Sequence, residues 1–173
     1  MTDIALAWSP DRFAADLLLG AGSLVSDDGL RTAILISLFS DARAPDEAAL
    51  PEDGADRRGW WGDDFAADGS AAGSQNATGR NAIGSTLWLL HRSKITPATL
   101  QRAREAAFEA LGWLVRDGIA SAVDVEVEAP IVDGMRHRLA IGVTLDRPQG
   151  PGRQRHDFTW LASVDASTGD LSA

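Results

Sequence analysis

Catalytic chemistry in this 173-residue chain would have to come from three histidines, from paired carboxylates, or from one arginine- and tryptophan-rich segment. His91, His137 and His156 lie far apart and form neither an H-x-x-x-H nor an H-x-H pair, so a zinc site has no support. They read as surface or capping histidines. Paired aspartates stand at Asp27-Asp28 and Asp63-Asp64. Glycoside hydrolysis needs two acids held roughly 5–10 Å apart across a cleft, which adjacency in sequence does not supply. The first pair reads as helix capping and the second as a solvated loop. No G-x-S-x-G elbow, P-loop or dinucleotide-type glycine motif is present. With no cysteine, thiol nucleophiles, thiolate metal sites and disulfides are excluded. Catalytic residues, metals and cofactors are therefore all expected to be none.

The remaining segment is Asp56–Asp63, D-R-R-G-W-W-G-D. Two bulky aromatics stand between glycines that let the backbone turn sharply, with arginines on one side and acids on both. One reading folds Trp60 and Trp61 back onto the chain's own core to pin a loose loop. Adjacent residues of an extended segment point to opposite sides, which makes burying both awkward. The other reading leaves one Trp, with Arg57 or Arg58, to anchor a partner, since Trp and Arg dominate interface hot spots. Residue types alone leave the two readings level. Arg57, Arg58, Trp60, Trp61 and Asp63 are the candidate partner-binding residues.

Positioning that segment falls to the elements around it. Ile4, Leu6 and Trp8 alternate with Asp3, Ala5 and Ala7, a short strand closed at Ser9-Pro10. Phe13–Leu19 fits either a strand or a short helix, ended by Gly20-Ala21-Gly22. Asp27 and Asp28 precede an apolar periodic run, and acids suit a helix N-terminus, so a buried helix is expected over Asp28–Phe39. Ser85–Arg92 suits a short helix. Thr96-Pro97 supplies a cap and a first-turn proline for a helix whose buried face carries Leu100, Ala103, Ala107, Ala110, Leu111 and Leu114. Phe108 and Val115 are expected to widen that face, and Gly118 to stop the helix. Beyond it the period changes to two. Val123, Val125 and Val127 form one half-buried strand, and Leu139, Ile141, Val143 and Leu145 another. Asp133-Gly134 signals a hairpin turn between them, and a third strand follows around His156–Leu161. The expected fold class is α+β, two to four helices on a small, mainly antiparallel sheet, in one domain spanning 1–173.

The stretch Asp41–Gly84 has no sustained period and is the long irregular loop of the first half. From Asp41 to Asp68 nine acids face three arginines, a local charge of −6 within a total of −9. Loops longer than about 12–15 residues are uncommon unless functional or disordered. The Gly/Ala/Ser/Asn-rich Ala66–Ala82 is expected to be mobile. Net acidity argues against nucleic acid, whose affinity comes mainly from cations on phosphates. No apolar run approaches the roughly 18 residues that span a bilayer, and the N-terminus lacks a signal-peptide pattern. Folding in a cytoplasm is the simple expectation. Lys94 is the only lysine among the cations, which coding bias explains at least as well as function.

Three segments in order carry a resemblance: Asp27–Ala44 (D-D-G-L-R-T-A-I-L-I-S-L-F-S-D-A-R-A), Asp56–Asp63, and Gly84–Thr96 (G-S-T-L-W-L-L-H-R-S-K-I-T). With Ala103–Ala120 they resemble the Mu-type phage baseplate protein family, itself similar to the small sheath-initiating wedge protein of contractile tails. The resemblance covers most of the chain. It implies an α+β structural subunit without catalysis, oligomeric in the assembled tail, contacting other baseplate wedge and hub proteins and giving the tail sheath its start. It also implies assembly in the host cytoplasm, then residence in the virion baseplate. In the wider group an acid–Pro–Arg motif tethers the small wedge protein to larger partners. Asp56-Arg57-Arg58 occupies a comparable region without the proline. The alternatives kept beside it are a tail-associated peptidoglycan hydrolase and a small-ligand module using the Trp pair.

Overall fold

The computed structural model describes residues 3–9, 12, 14–27, 30–52, 54–60, 83–131, 138–148 and 152–161. The chain opens with short antiparallel pairings: β1 (Asp3–Ile4) with β6 (Ser26–Asp27), β2 (Leu6–Ser9) with β3 (Ala14–Leu17), and β4 (Leu19–Gly20) with β5 (Ser23–Leu24). Together they form a small arm. The ambiguous segment after Pro10 is thus strand where it is described. Leu6 and Trp8 of β2 pack against the core, whereas Leu17, Leu18 and Leu19 are exposed.

Helix α1 runs Arg31–Phe39, three residues shorter at its start than Asp28–Phe39. Its cap, Leu30, offers no side-chain acceptor, and the role passes to an acid further back: Asp27 accepts the Thr32 N–H at 2.8 Å. The Thr32 hydroxyl accepts from the Leu6 N–H and donates to the Ile4 carbonyl, tying the arm to the helix start. Residues Thr86–Leu90 form a 3₁₀ turn rather than an α-helix, with Ser85 as its cap.

Helix α2 (Pro97–Ala110) starts as its sequence requires, with the Thr96 hydroxyl accepting from the Thr99 N–H and Pro97 in the first turn. It does not continue to Gly118. It ends at Leu111, and a separate short helix α3 (Gly112–Arg116) follows. Phe108 within α2 and Val115 within α3 are 53% and 44% exposed, which corrects the wider buried face expected for one continuous helix. Gly118 then closes α3 at φ +71°, with Ile119 N–H bonded to the Leu114 carbonyl and Gly118 N–H to that of Val115, a Schellman ending.

The C-terminal sheet is antiparallel in the order β7 (Ala122–Glu128), β8 (Arg138–Asp146), β9 (Arg153–Leu161). Its inner face carries Val125, Leu139, Ile141, Val143, Leu145, Phe158 and Trp160, all buried, packed with Ile34, Leu38, Leu87, Ala107, Leu111 and Leu114 in one cluster. The third strand begins three residues earlier than His156. On the outer face Gly142 lets the Arg155 side chain cross the middle strand and reach Glu126 on β7 at 2.6 Å. The Asp133-Gly134 turn lies outside the described residues, as does Ala66–Ala82. No helix among the described residues is long and apolar enough to cross a membrane.

Candidate functional site

The long excursion between α1 and the 3₁₀ turn leaves and returns at one point. Asp41 and Ser85 form an isolated parallel bridge, with Ser85 N–H bonded to the Ser40 carbonyl at 2.9 Å and Ala42 N–H to the Ser85 carbonyl at 3.0 Å. Ala44, buried, then donates its N–H to the Arg57 carbonyl at 2.9 Å. The described residues between 44 and 58 therefore form a strap whose two ends are joined by that backbone hydrogen bond.

Both arginines of the motif work within that strap. The Arg57 guanidinium donates to the carbonyls of Pro45 and Asp46 and lies 3.7 Å from the Asp46 carboxylate. Arg58 has φ +53°, a conformation that costs a non-glycine residue about 1 kcal/mol or more. Its N–H is bonded to the Asp56 carboxylate at 2.8 Å, which favours the turn. Its guanidinium pairs with Asp41 at 2.8 Å and lies 4.5 Å from the centroid of the Trp88 ring. Gly59 follows at φ +112°, where a Cβ would sit 3.0 Å from that of Arg43. Trp60 follows, 40% exposed. Trp61 and Asp63 lie outside the described residues. Among the described residues, Arg57 and Arg58 both tie the strap.

Beside the strap opens a groove of about 210 Å³ whose walls include Trp8, Phe39, Trp88 and Trp160, with Asp41 and Arg58 along one side. Trp8 stacks on Phe39 at 4.2 Å and 7°, and Phe39 meets Phe158 edge-on. The indole N–H groups of Trp8 and Trp88 are spent on the backbone carbonyls of Thr159 and Ala42. Their polar atoms are therefore engaged within the fold, and the Trp88 ring, 4% exposed, already lies beneath the Arg58 guanidinium. A neighbouring cavity of about 90 Å³ shares Arg58 and Trp88 and adds Glu52 and Asp56. Sequence reasoning did not find this groove, because its walls come from residues as far apart as Trp8 and Trp160.

His91, the residue closing the 3₁₀ turn, lines the groove and meets Trp160 edge-on at 5.5 Å. Burial lowers its pKa below the ordinary 6.5, Arg58 lowers it further, and Asp41 and Glu52 oppose. His156 on the inner face of β9 is lowered mainly by burial and then by Arg31 and Arg147, against Asp27 and Asp157. His137 is outside the described residues. Both described histidines are thus neutral in the fold where they would begin to charge in the unfolded chain. The unfolded state binds more protons once pH drops past about 6.5, so stability falls from there until the folded-state values are passed. Urea unfolding at about pH 7.5 and about pH 5.5 is expected to show the loss, reduced when both histidines are replaced by glutamine. An unchanged acid dependence in that double variant would assign the loss to carboxylates instead.

Comparison with known proteins then places the chain. Residues 30–152 match the family model described as phage protein GP46. The chain belongs to the gp46 family of phage proteins. Among its relatives, the baseplate protein gp46 of Escherichia phage Mu is 44% identical over 128 residues, covering 74% of this chain and 78% of the relative. The Mu-like prophage FluMu protein gp46 of Haemophilus influenzae is 37% identical over 155 residues, 90% and 94% of the two chains. The Mu-type resemblance of the sequence is thereby established. The family match begins at α1 and ends before β9, so it contains the strap, the Asp41–Ser85 bridge and Trp88 but not Trp8 or Trp160.

Proposed function

We propose that this chain is a non-catalytic, single-domain structural subunit of a contractile phage-type tail baseplate. It would act as a small wedge component joining larger wedge proteins and the hub to the start of the sheath. The observation that carries the reading is its kinship, at 44% identity, with a protein named as a baseplate component of phage Mu. The subunit would assemble in the host cytoplasm and remain in the virion tail. Its partner-binding residues are Arg57, Arg58, Trp60, Trp61 and Asp63. Arg57 and Arg58 shape the strap, and Trp60, which follows it, is exposed.

A second contact surface is the edge of β9, which among the described residues pairs with β8 alone. Exposed sheet edges take up strands from neighbours, and on this edge the Thr159 carbonyl accepts from the Trp8 indole. The reading is tested by co-expressing the chain with the products of neighbouring tail genes. Arg58→Glu sets a carboxylate against Asp41 and is expected to abolish co-purification, while circular dichroism still reports a folded monomer. Normal recovery of the complex with Arg58→Glu would sink the assignment of the strap.

A further inference from the structure

We propose that the Trp8–Trp88–Trp160 groove seats a single arginine or lysine side chain carried by a neighbouring baseplate chain, an inference that rests on the assembly reading above. Size sets the first limit. At about 210 Å³ the groove falls below the roughly 300–1,000 Å³ of small-molecule sites, so one long side chain fits better than a cofactor.

Charge sets the second. In the groove Asp41 is balanced by Arg58, with which it pairs, and the adjoining cavity adds Glu52 and Asp56 to its lining, leaving two more acids than guanidinium groups across the two. An anionic occupant would meet that excess of carboxylates. A neutral aliphatic one would strip water from them and return no hydrogen bond. A cation on an alkyl stem meets both needs, its stem on the rings and its charge against the acids. Arg58 already displays the chemistry within the chain, with one guanidinium held at once by the Trp88 ring and the Asp41 carboxylate. The surrounding strap, acidic on balance, would steer a basic segment toward the opening.

The test titrates the full, isotope-labelled chain with three probes: N-acetyl-arginine methylamide, its uncharged norleucine counterpart and its glutamate counterpart. The indole N–H signals of Trp8 and Trp88 are followed by NMR. The arginine probe is expected to move them saturably and to bind about tenfold more tightly than the norleucine probe. Glu52→Gln, a change at an exposed side chain, is expected to weaken the arginine probe and leave the norleucine probe unaffected. Equal binding of the two, preference for glutamate, or no saturable change with any probe would overturn the proposal. Co-purification of the wild-type chain with its baseplate neighbours is read in parallel. If it persists while probe binding fails, the groove assignment falls alone; if it fails, the assembly reading falls with it.

Discussion

Replacing Gly84 by alanine is expected to cost this protein roughly 3 kcal/mol or more, combining backbone strain with overpacking. Gly84 has φ +105°, outside the range that L side chains readily adopt. A Cβ built there would lie 2.5 Å from the Ser40 carbonyl oxygen and 2.9 Å from the Ala42 nitrogen. Neither atom can retreat cheaply. The Ser40 carbonyl accepts from Ser85 N–H and the Ala42 N–H donates to the Ser85 carbonyl, so relief would break the bridge that closes the excursion. Gly22 provides the control. It has φ +82° with nothing within 4 Å of a built Cβ, so Gly22→Ala isolates the strain and should cost about 1 kcal/mol. Urea unfolding of both variants decides the matter. Equal losses would show that the close approach at Gly84 contributes nothing.

The same residues explain which parts of the fold were legible in advance. The start of α2 and the alternation of β7 and β8 were readable because their causes are local: a capping hydroxyl, a proline and a two-residue period. Gly118 was readable as a helix stop for the same reason. The break at Leu111 was not. The apolar pattern runs through it, and only packing decides that Trp113 turns in to donate its indole N–H to the Ser37 hydroxyl. The bridge between Asp41 and Ser85 joins positions 44 residues apart, and no local signal announces it. The motif Asp56–Asp63 was legible as unusual, but what its arginines hold within the fold was not, because carbonyls at Pro45 and Asp46 and a ring at Trp88 are brought to them only by the strap.

That dependence on Trp88 leads to the other large effect. Trp88→Ala is expected to destabilise the chain by about 3–5 kcal/mol, the usual range for emptying a buried aromatic site. Trp88 is 4% exposed. Its loss also leaves the Ala42 carbonyl without its indole donor and removes the surface beneath the Arg58 guanidinium. Trp88→Phe keeps most of the ring and deletes the N–H, so it should cost about 1–2 kcal/mol beyond the change in volume. The two variants differ in a second way that a stability curve alone would miss. Arg58 holds an unfavourable φ because Asp41, Asp56 and Trp88 together hold it, and the exposed Asp41 pair contributes only about 0.2–1 kcal/mol of that. Without the ring, the strap should open locally while the sheet stays folded. Native-state digestion with trypsin reads this directly. Cleavage after Arg57 and Arg58 should accelerate in Trp88→Ala well ahead of cleavage in β9, and much less in Trp88→Phe. Parallel acceleration at both places would mean that Trp88 supports the core as a whole, with no separate hold on the strap.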